Sequence, residues 1–435
     1  MSGILIRGAT IVTMNSRDEV IRDGEVLVLG NTIAGIGPKG RWSQGSQELE
    51  DVEVIEAHGK AVLPGLVNTH CHAAMALFRG YADDMPLQDW LAHKIWPLER
   101  RLSAQDVYWG SLLACVEMIK GGITTFADMY FFMDEVARAV EESGIRASLS
   151  RGLIATIPGA GRSLREAKEF CAGWHGKANG RITTMVGPHA PYTCPPSFLE
   201  KVMDAARELK VGIHIHLSET RGEVEKSLEE HGKSPVRLLD EIGLFEFPVL
   251  AAHCVHLSDE DLEVLAEKKV GVAHNPGSNL KLASGVAPIS KMLVKGVKVG
   301  LGTDGAASNN NLDLIEEMRL SALIHKGFSG DPTACTAKAA LGMATRGGAE
   351  ALGLGGEIGT IEEGKRADLI IVDLDKPHLH PQHDIISNLV YSARADDVLT
   401  TIIDGKIVMK DRALVTLDEK EVMEGADKRA KRVVG

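Results

Sequence analysis

What most constrains this chain is an alternation of apolar, β-rich runs and helical stretches through its middle. The runs lie at Ile123–Ala127, Ala147–Leu149, Thr183–Val186, Gly212–His216, Val249–His253, Gly271–His274 and Val297–Leu301. Helical stretches such as Pro196–Leu209 and Asp259–Lys268 lie between them. Repeated βα units build a parallel sheet. Several runs lead into a residue that can do chemistry: His216, His253, His274 and Asp304. In a closed (β/α)8 barrel the C-terminal edge of the strands carries the chemistry, and many strands contribute to it. An open doubly wound sheet would gather such residues at one switch point, so the α/β class is read as a TIM-type barrel. The ends of the chain look different. Ile4–Arg7, Thr10–Thr13, Glu25–Leu29 and Thr32–Ile36 are short strands separated by turn residues, and Asp368–Asp373 and Leu399–Ile403 match them near the other end. Asp404-Gly405 before Lys406–Met409 reads as a hairpin turn. We expect a small β-sandwich subdomain made from both termini, residues 1–60 and 361–435, and a barrel over 61–360.

The 435 residues carry a net charge of −12, which disfavours a phosphate backbone as partner. The six cysteines form no CxxC pair, as expected of reduced thiols rather than a disulfide framework. No stretch reaches the length of a membrane span, and no charged n-region precedes an apolar run at the start. A cytoplasmic homo-oligomer that binds a small molecule, without nucleic acid or membrane, is the expectation.

Three motifs carry the chemistry. In Pro64-Gly65-Leu66-Val67-Asn68-Thr69-His70-Cys71-His72, two histidines spaced by two on a strand project to one side and can share a cation, while Cys71 points away. In Ile213-His214-Ile215-His216-Leu217-Ser218-Glu219, His216 reaches the strand mouth, His214 lies deeper, and Glu219 follows a turn. Glu219 could move protons, or it could cap the next helix. In Gly300-Leu301-Gly302-Thr303-Asp304-Gly305 an apolar strand ends in an aspartate between glycines, either a ligand or a plain Asp-Gly turn. Each motif alone is ambiguous. Taken together they supply three histidines and a carboxylate from the first, fifth and last strands, a donor set that suits zinc, and also iron or manganese. The reaction class that follows is attack of activated water on an electrophilic carbon.

These motifs, with AAHCVHL, AHNPGSN, GLGTDGAASNN and the late GTIEEGKRADLIIVD segment, resemble the amidohydrolase superfamily. Asp89-Trp90-Leu91 and Trp96-Pro97-Leu98-Glu99 narrow the resemblance to its 5-methylthioadenosine/S-adenosylhomocysteine deaminases. The resemblance implies deamination of 5′-modified adenosines, and one divalent ion per chain, zinc being expected, on His70, His72, His216 and Asp304. It implies that Glu219 shuttles a proton to purine N1 and that His253 hydrogen-bonds the attacking water. Glu99 would accept the ribose hydroxyls, His189 and Arg151 would contact substrate, and Trp90 would line the pocket. A further family arginine falls near Arg162 or Arg165. Some superfamily members bridge two ions with a carboxylated lysine on the fourth strand, but Thr183-Thr184-Met185-Val186 runs into Gly-Pro-His without one.

Each role has a plainer alternative. Glu99-Arg100-Arg101 would otherwise be a solvated charged stretch. Arg151 could serve an ion pair, and His189 could order its loop. His256 and His274 are expected to be structural. His58, His93, His231, His378, His380 and His383 are expected at the surface or in loops. A sibling hydrolase of guanine, pterin or triazine would keep the metal motifs but give Glu99 no ribose to bind. A non-catalytic scaffold on the same fold should have lost a ligand or the proton shuttle.

Overall fold

The computed structural model describes residues 3–42 and 52–435. Eight parallel strands stand side by side in sequence order: Leu66–Cys71, Ile123–Tyr130, Arg146–Leu153, Ile182–Pro188, Gly212–Leu217, Val249–His253, Gly271–His274 and Lys298–Leu301. We refer to them as the first to eighth barrel strands. Their residues are nearly all buried, as expected of strands covered on both faces. Between the eighth and first strands, Thr69 Oγ1 donates to the Leu301 carbonyl at 2.8 Å, and the Asp304 N–H to the His70 carbonyl at 3.0 Å. Gly300 and Gly302 permit this closure. A Cβ on Gly302 would lie 2.3 Å from Asn275 Oδ1 and 2.9 Å from the His70 nitrogen, and one on Gly300 would lie 2.3 Å from Thr69 Cγ2.

The helices follow from local chemistry. Pro196–Leu209 starts with Pro at its first position and buries Phe198, Leu199, Val202, Met203, Ala205 and Ala206, spaced along one stripe. It stops where Lys210 turns left-handed (φ 57°). Asp259–Glu267 starts with a capping box between Ser258 and Asp261. No helix among the described residues is long and apolar enough to cross a membrane.

The two ends of the chain pair into one nine-stranded sheet. Side chains alternate across it. Ile4, Ile6, Val62, Leu369 and Ile371 join a core of the sheet's own, whereas Val12, Leu63, Ile370 and Val372 join the barrel's core. Ile4–Arg7 and Thr10–Thr13, expected as two strands, form one strand, Gly3–Val12, because Gly8 (φ 78°) lets the chain bulge and continue. The hairpin at Asp404-Gly405 has both residues left-handed (φ 51° and 73°), as a type I′ turn requires. The expected terminal range 1–60 takes in residues 1, 2 and 43–51, which lie outside the described residues. The chain passes from this sheet into the barrel at Gly65, where a Cβ would lie 2.1 Å from Thr124 Oγ1. Buried Arg146, at the start of the third barrel strand, pairs with Asp368 at 2.7 Å and so ties the barrel to the sheet.

Candidate active site

His70 and His72 project from the end of the first barrel strand, His216 from the fifth, and Asp304 from just beyond the eighth. Their inner atoms converge. Asp304 Oδ1 lies 3.5 Å from His70 Nε2 and 3.3 Å from His72 Nε2, and His72 Nε2 lies 3.4 Å from His216 Nε2. The outer nitrogens are already engaged. His72 Nδ1 donates to the Met129 carbonyl at 2.6 Å, and His216 Nδ1 to the His189 carbonyl at 2.7 Å. A carbonyl can only accept, so both rings carry a proton on Nδ1 and turn Nε2 inward. His70 Nδ1 meets His214 Nε2 at 2.9 Å, and Ser150 Oγ meets His214 Nδ1 at 3.3 Å. The deeper histidine therefore does more than pack: it orients His70.

His70 Nε2 is buried and has no hydrogen-bond partner. Burial lowers His70 to about 4 and His216 well below the usual histidine range, so both rings stay neutral. Asp304 is opposed by burial, yet the histidines beside it hold it well below the usual carboxylate range. Its Oδ2 accepts from Ser278 Oγ at 2.6 Å and Ser308 Oγ at 3.0 Å, leaving Oδ1 to face the histidines. Three imidazoles and one ionised carboxylate around an orphaned nitrogen fit a divalent cation.

Glu219 and His253 border the same point. Glu219 Oε2 lies 3.9 Å from His253 Nε2, and Glu219 Oε1 accepts from Ser284 Oγ at 3.3 Å. Burial raises Glu219 above the usual range. Burial alone would lower His253, but the carboxylates of Glu219 and Asp304 outweigh it and raise it. His253 Nδ1 meets Asn279 Oδ1 at 2.8 Å, which turns Nε2 toward the cluster. Ser218, His253 and Asp304 all have left-handed backbones (φ 51°, 73° and 59°), an unfavourable conformation held at the ends of three different strands. The cap of the following helix is Thr220, which accepts from the Glu223 N–H; Glu219 is thus free to face the site. Buried Glu223 accepts from the N–H groups of Ser218 (2.9 Å) and Glu219 (2.8 Å) and fixes that turn.

A cleft of about 760 Å³, mouth included, opens over the cluster. Its walls include Trp90, Glu99, Tyr130, His189, Tyr192 and the apolar Leu91, Ile95 and Phe131. Trp90 is anchored by its indole N–H on the Ala82 carbonyl at 2.9 Å. Glu99 faces the cleft, and burial pushes its carboxyl up to about 7 despite the nearby Tyr130 hydroxyl. His189, lowered to about 4 by burial, is set by Thr193 at 3.0 Å.

Arg151 is not part of this wall. Period two along the third strand aims Ser150 and Gly152 into the barrel and Arg151 out of it. Its guanidinium donates to the Gly152 carbonyl at 2.7 Å and to Glu166 at 2.6 Å, and lies 6.0 Å over Phe131. Arg162 and Arg165 are both exposed, and Arg162 also pairs with Glu166, at 2.9 Å. His256 and His274 hold structural contacts, to the Ser284 carbonyl at 2.7 Å and to His325 at 3.0 Å. His378 is less free than expected: it pairs with Asp397 at 2.8 Å. Sequence reading missed Ser278, Ser284, Ser308, Asn279 and Tyr130. Only Ser308, four residues past Asp304 in Gly305-Ala306-Ala307-Ser308, left a local signal.

Residues 61–408 match the amidohydrolase family, well over half of the chain. The chain belongs to the amidohydrolase family. Over 434 residues this amidohydrolase is 55% identical to the 5-methylthioadenosine/S-adenosylhomocysteine deaminase of Pelotomaculum thermopropionicum, covering 100% of this chain and 99% of that one. Its fold superposes on an adenosine deaminase from Xanthomonas campestris with bound zinc at a TM-score of 0.93 and 35% identity, covering 99% and 98% of the two chains. It also superposes on a zinc complex of an atrazine chlorohydrolase from Arthrobacter aurescens at a TM-score of 0.90 and 25% identity, covering 98% and 100%. The fourth barrel strand of this amidohydrolase, Ile182–Pro188, contains no lysine.

Proposed function

We propose that this amidohydrolase is a deaminase of 5′-modified adenosines, adding water at purine C6 and releasing ammonia and the inosine analogue. The observation that carries the reading is Glu99, a carboxylate sunk in the same cleft as the His70–His72–His216–Asp304 cluster and in no ion pair with a cation among the described residues. A buried carboxylate in that position is suited to accept two vicinal ribose hydroxyls, and it is penalised when a ligand brings none. Relatives of more than half identity over the full length bear the matching name.

In this reading His70, His72, His216 and Asp304 hold one divalent ion, zinc. Bound there, the ion supplies electrophilic assistance that makes water a nucleophile near neutral pH. Glu219, whose carboxyl burial holds above the usual range, delivers a proton to ring N1 as electron density moves onto the purine, and recovers one from the C6 hydroxyl while the proton taken from water leaves with the ammonia. His253 hydrogen-bonds the attacking water, and Asp304 takes its proton. Trp90 packs against the substrate and His189 contacts the base. Arg151 meets a 5′ homocysteine carboxylate only by leaving Glu166, so it is a contact for that substrate and idle for the methylthio compound.

The test is a panel of methylthioadenosine, homocysteinyl-adenosine, adenosine, free adenine, guanine and a chlorotriazine, with ammonia and purine absorbance both followed. The nucleosides should be turned over and free adenine should be far poorer. If adenine, guanine or the triazine outruns every adenosine derivative, the chain is a sibling hydrolase.

A further inference from the structure

Tyr130 closes the second barrel strand and lines the cleft. Its residue is 3% exposed, and its hydroxyl is buried without a hydrogen-bond partner among the described residues. An unpaired buried polar group is costly and needs an explanation. The ring centroid lies 6.2 Å from that of His72 and 5.3 Å from that of Phe131. The hydroxyl faces the Glu99 carboxylate, which raises the phenol well above its ordinary range, after burial itself. Asp128, two residues earlier on the strand, spends one oxygen on the Ala73 N–H at 2.7 Å. The phenol therefore stands at the wall between the histidine–aspartate cluster and Glu99, its O–H turned toward that carboxylate but short of a full hydrogen bond to it in the free protein.

We propose that Tyr130 is a positioning residue for nucleoside recognition: with substrate bound, its O–H donates to Glu99 and aims the carboxylate at the two ribose hydroxyls. The inference rests on the function proposed above and adds a residue to it. An ionised carboxylate offers about four acceptor directions. A cis-diol uses two, which leaves the carboxylate free to rotate unless another donor fixes it. A third donor also favours the ionised form, which burial otherwise opposes, and only the ionised form accepts from both hydroxyls at once. Phe at this place would keep the ring against His72 and Phe131 and remove only the donor.

The experiment compares wild type with Tyr130→Phe on methylthioadenosine and on its 2′,3′-dideoxy analogue, after metal content and melting temperature have been measured. The variant should lose about tenfold or more in kcat/KM on the ribonucleoside, the size of one charge-assisted hydrogen bond, with KM carrying more of it than kcat. On the dideoxy analogue the loss should be severalfold smaller. In a Glu99→Gln background Tyr130→Phe should cost little further. Equal losses on the two substrates, or an unchanged cost in the Glu99→Gln background, would overturn the proposal. So would a Tyr130→Phe protein that does not fold, since the hydroxyl would then be supporting the free structure. If wild type itself fails to prefer nucleosides to free adenine, the parent reading falls first, and that result is visible without any variant.

Discussion

Replacing Glu219 with Gln separates proton transfer from metal binding. The side chain keeps its length and shape, and its amide oxygen can still accept from Ser284 Oγ, now at 3.3 Å. The turn that carries it is clamped through backbone N–H groups by Glu223 at 2.9 and 2.8 Å, contacts the substitution leaves alone. Glu219 is not one of the four converging donors, and its nearest ring, His253, is 3.9 Å away. Fold and metal content should therefore survive. What is lost is the proton, because an amide cannot supply one to purine N1. Positioned acid–base assistance is worth roughly 10²–10⁴-fold, or about 3–5 kcal/mol of barrier. We expect kcat on methylthioadenosine to fall by that factor with KM changed little. The assay follows purine absorbance and ammonia, with elemental analysis on the same preparation. A variant within about threefold of wild-type turnover, metal retained, would refute the role. Loss of metal along with activity would show that Glu219 supports the cluster instead.

Ala substitution at His70, His72, His216 or Asp304 should remove metal and activity together, and elemental analysis of wild type should find one ion per chain; two ions per active chain would refute the mononuclear reading. Arg151→Ala should impair deamination of homocysteinyl-adenosine more than that of methylthioadenosine, and equal kcat/KM losses would remove its carboxylate role. Glu317, fully buried, accepts from the Gly277 N–H at 2.8 Å and the Asn309 amide at 2.9 Å, and burial pushes its carboxyl from 4.5 up to about 8. A raised folded value means that stability present below about pH 4.5 is lost as pH climbs toward 8, by at most about 5 kcal/mol. Glu317→Gln forfeits one acceptor at every pH but escapes that loss, so its melting temperature should gain on wild type between pH 5.5 and 8; a constant difference would refute the argument.

The barrel was legible because its signal is periodic. Val249–His253 and Gly271–His274 were bounded correctly, and Pro196–Leu209 was read end to end, since each is an apolar run or stripe with clear stops. The four converging donors were legible because strand ends in a barrel converge wherever the residues between them vary. The supports were not. Ser278, on the short helix Pro276–Lys281, reaches Asp304 across 26 residues, and Ser284, on a loop, reaches Glu219 across 65, in segments too short or irregular to show a period. The resting course of Arg151 is readable too: with Ser150 and Gly152 facing inward, alternation sends its side chain outward to Glu166.

Three carboxylates in the cleft show how one chemical group is divided among tasks. All are enclosed by protein, and burial pushes each toward the neutral form. Only Asp304 has imidazoles close enough, at 3.3 and 3.5 Å, to reverse that push, and it stays ionised, as its proposed role on the metal requires. Glu219 has one ring at 3.9 Å, too distant to cancel burial, so its carboxyl stays above the usual range, as the proposed proton donor requires. Glu99 pairs with no cation among the described residues and has a phenol before it, which leaves a carboxyl raised to about 7 that two sugar hydroxyls can draw into the ionised state. The ligand, acid and recognition roles proposed for the three thus differ in how far the nearest positive or donating group stands, and the proposed order of the pocket follows from that distance. Moving a cation next to Glu99 would ionise it in the free enzyme and satisfy it there, and the preference for nucleoside over free base would fall accordingly.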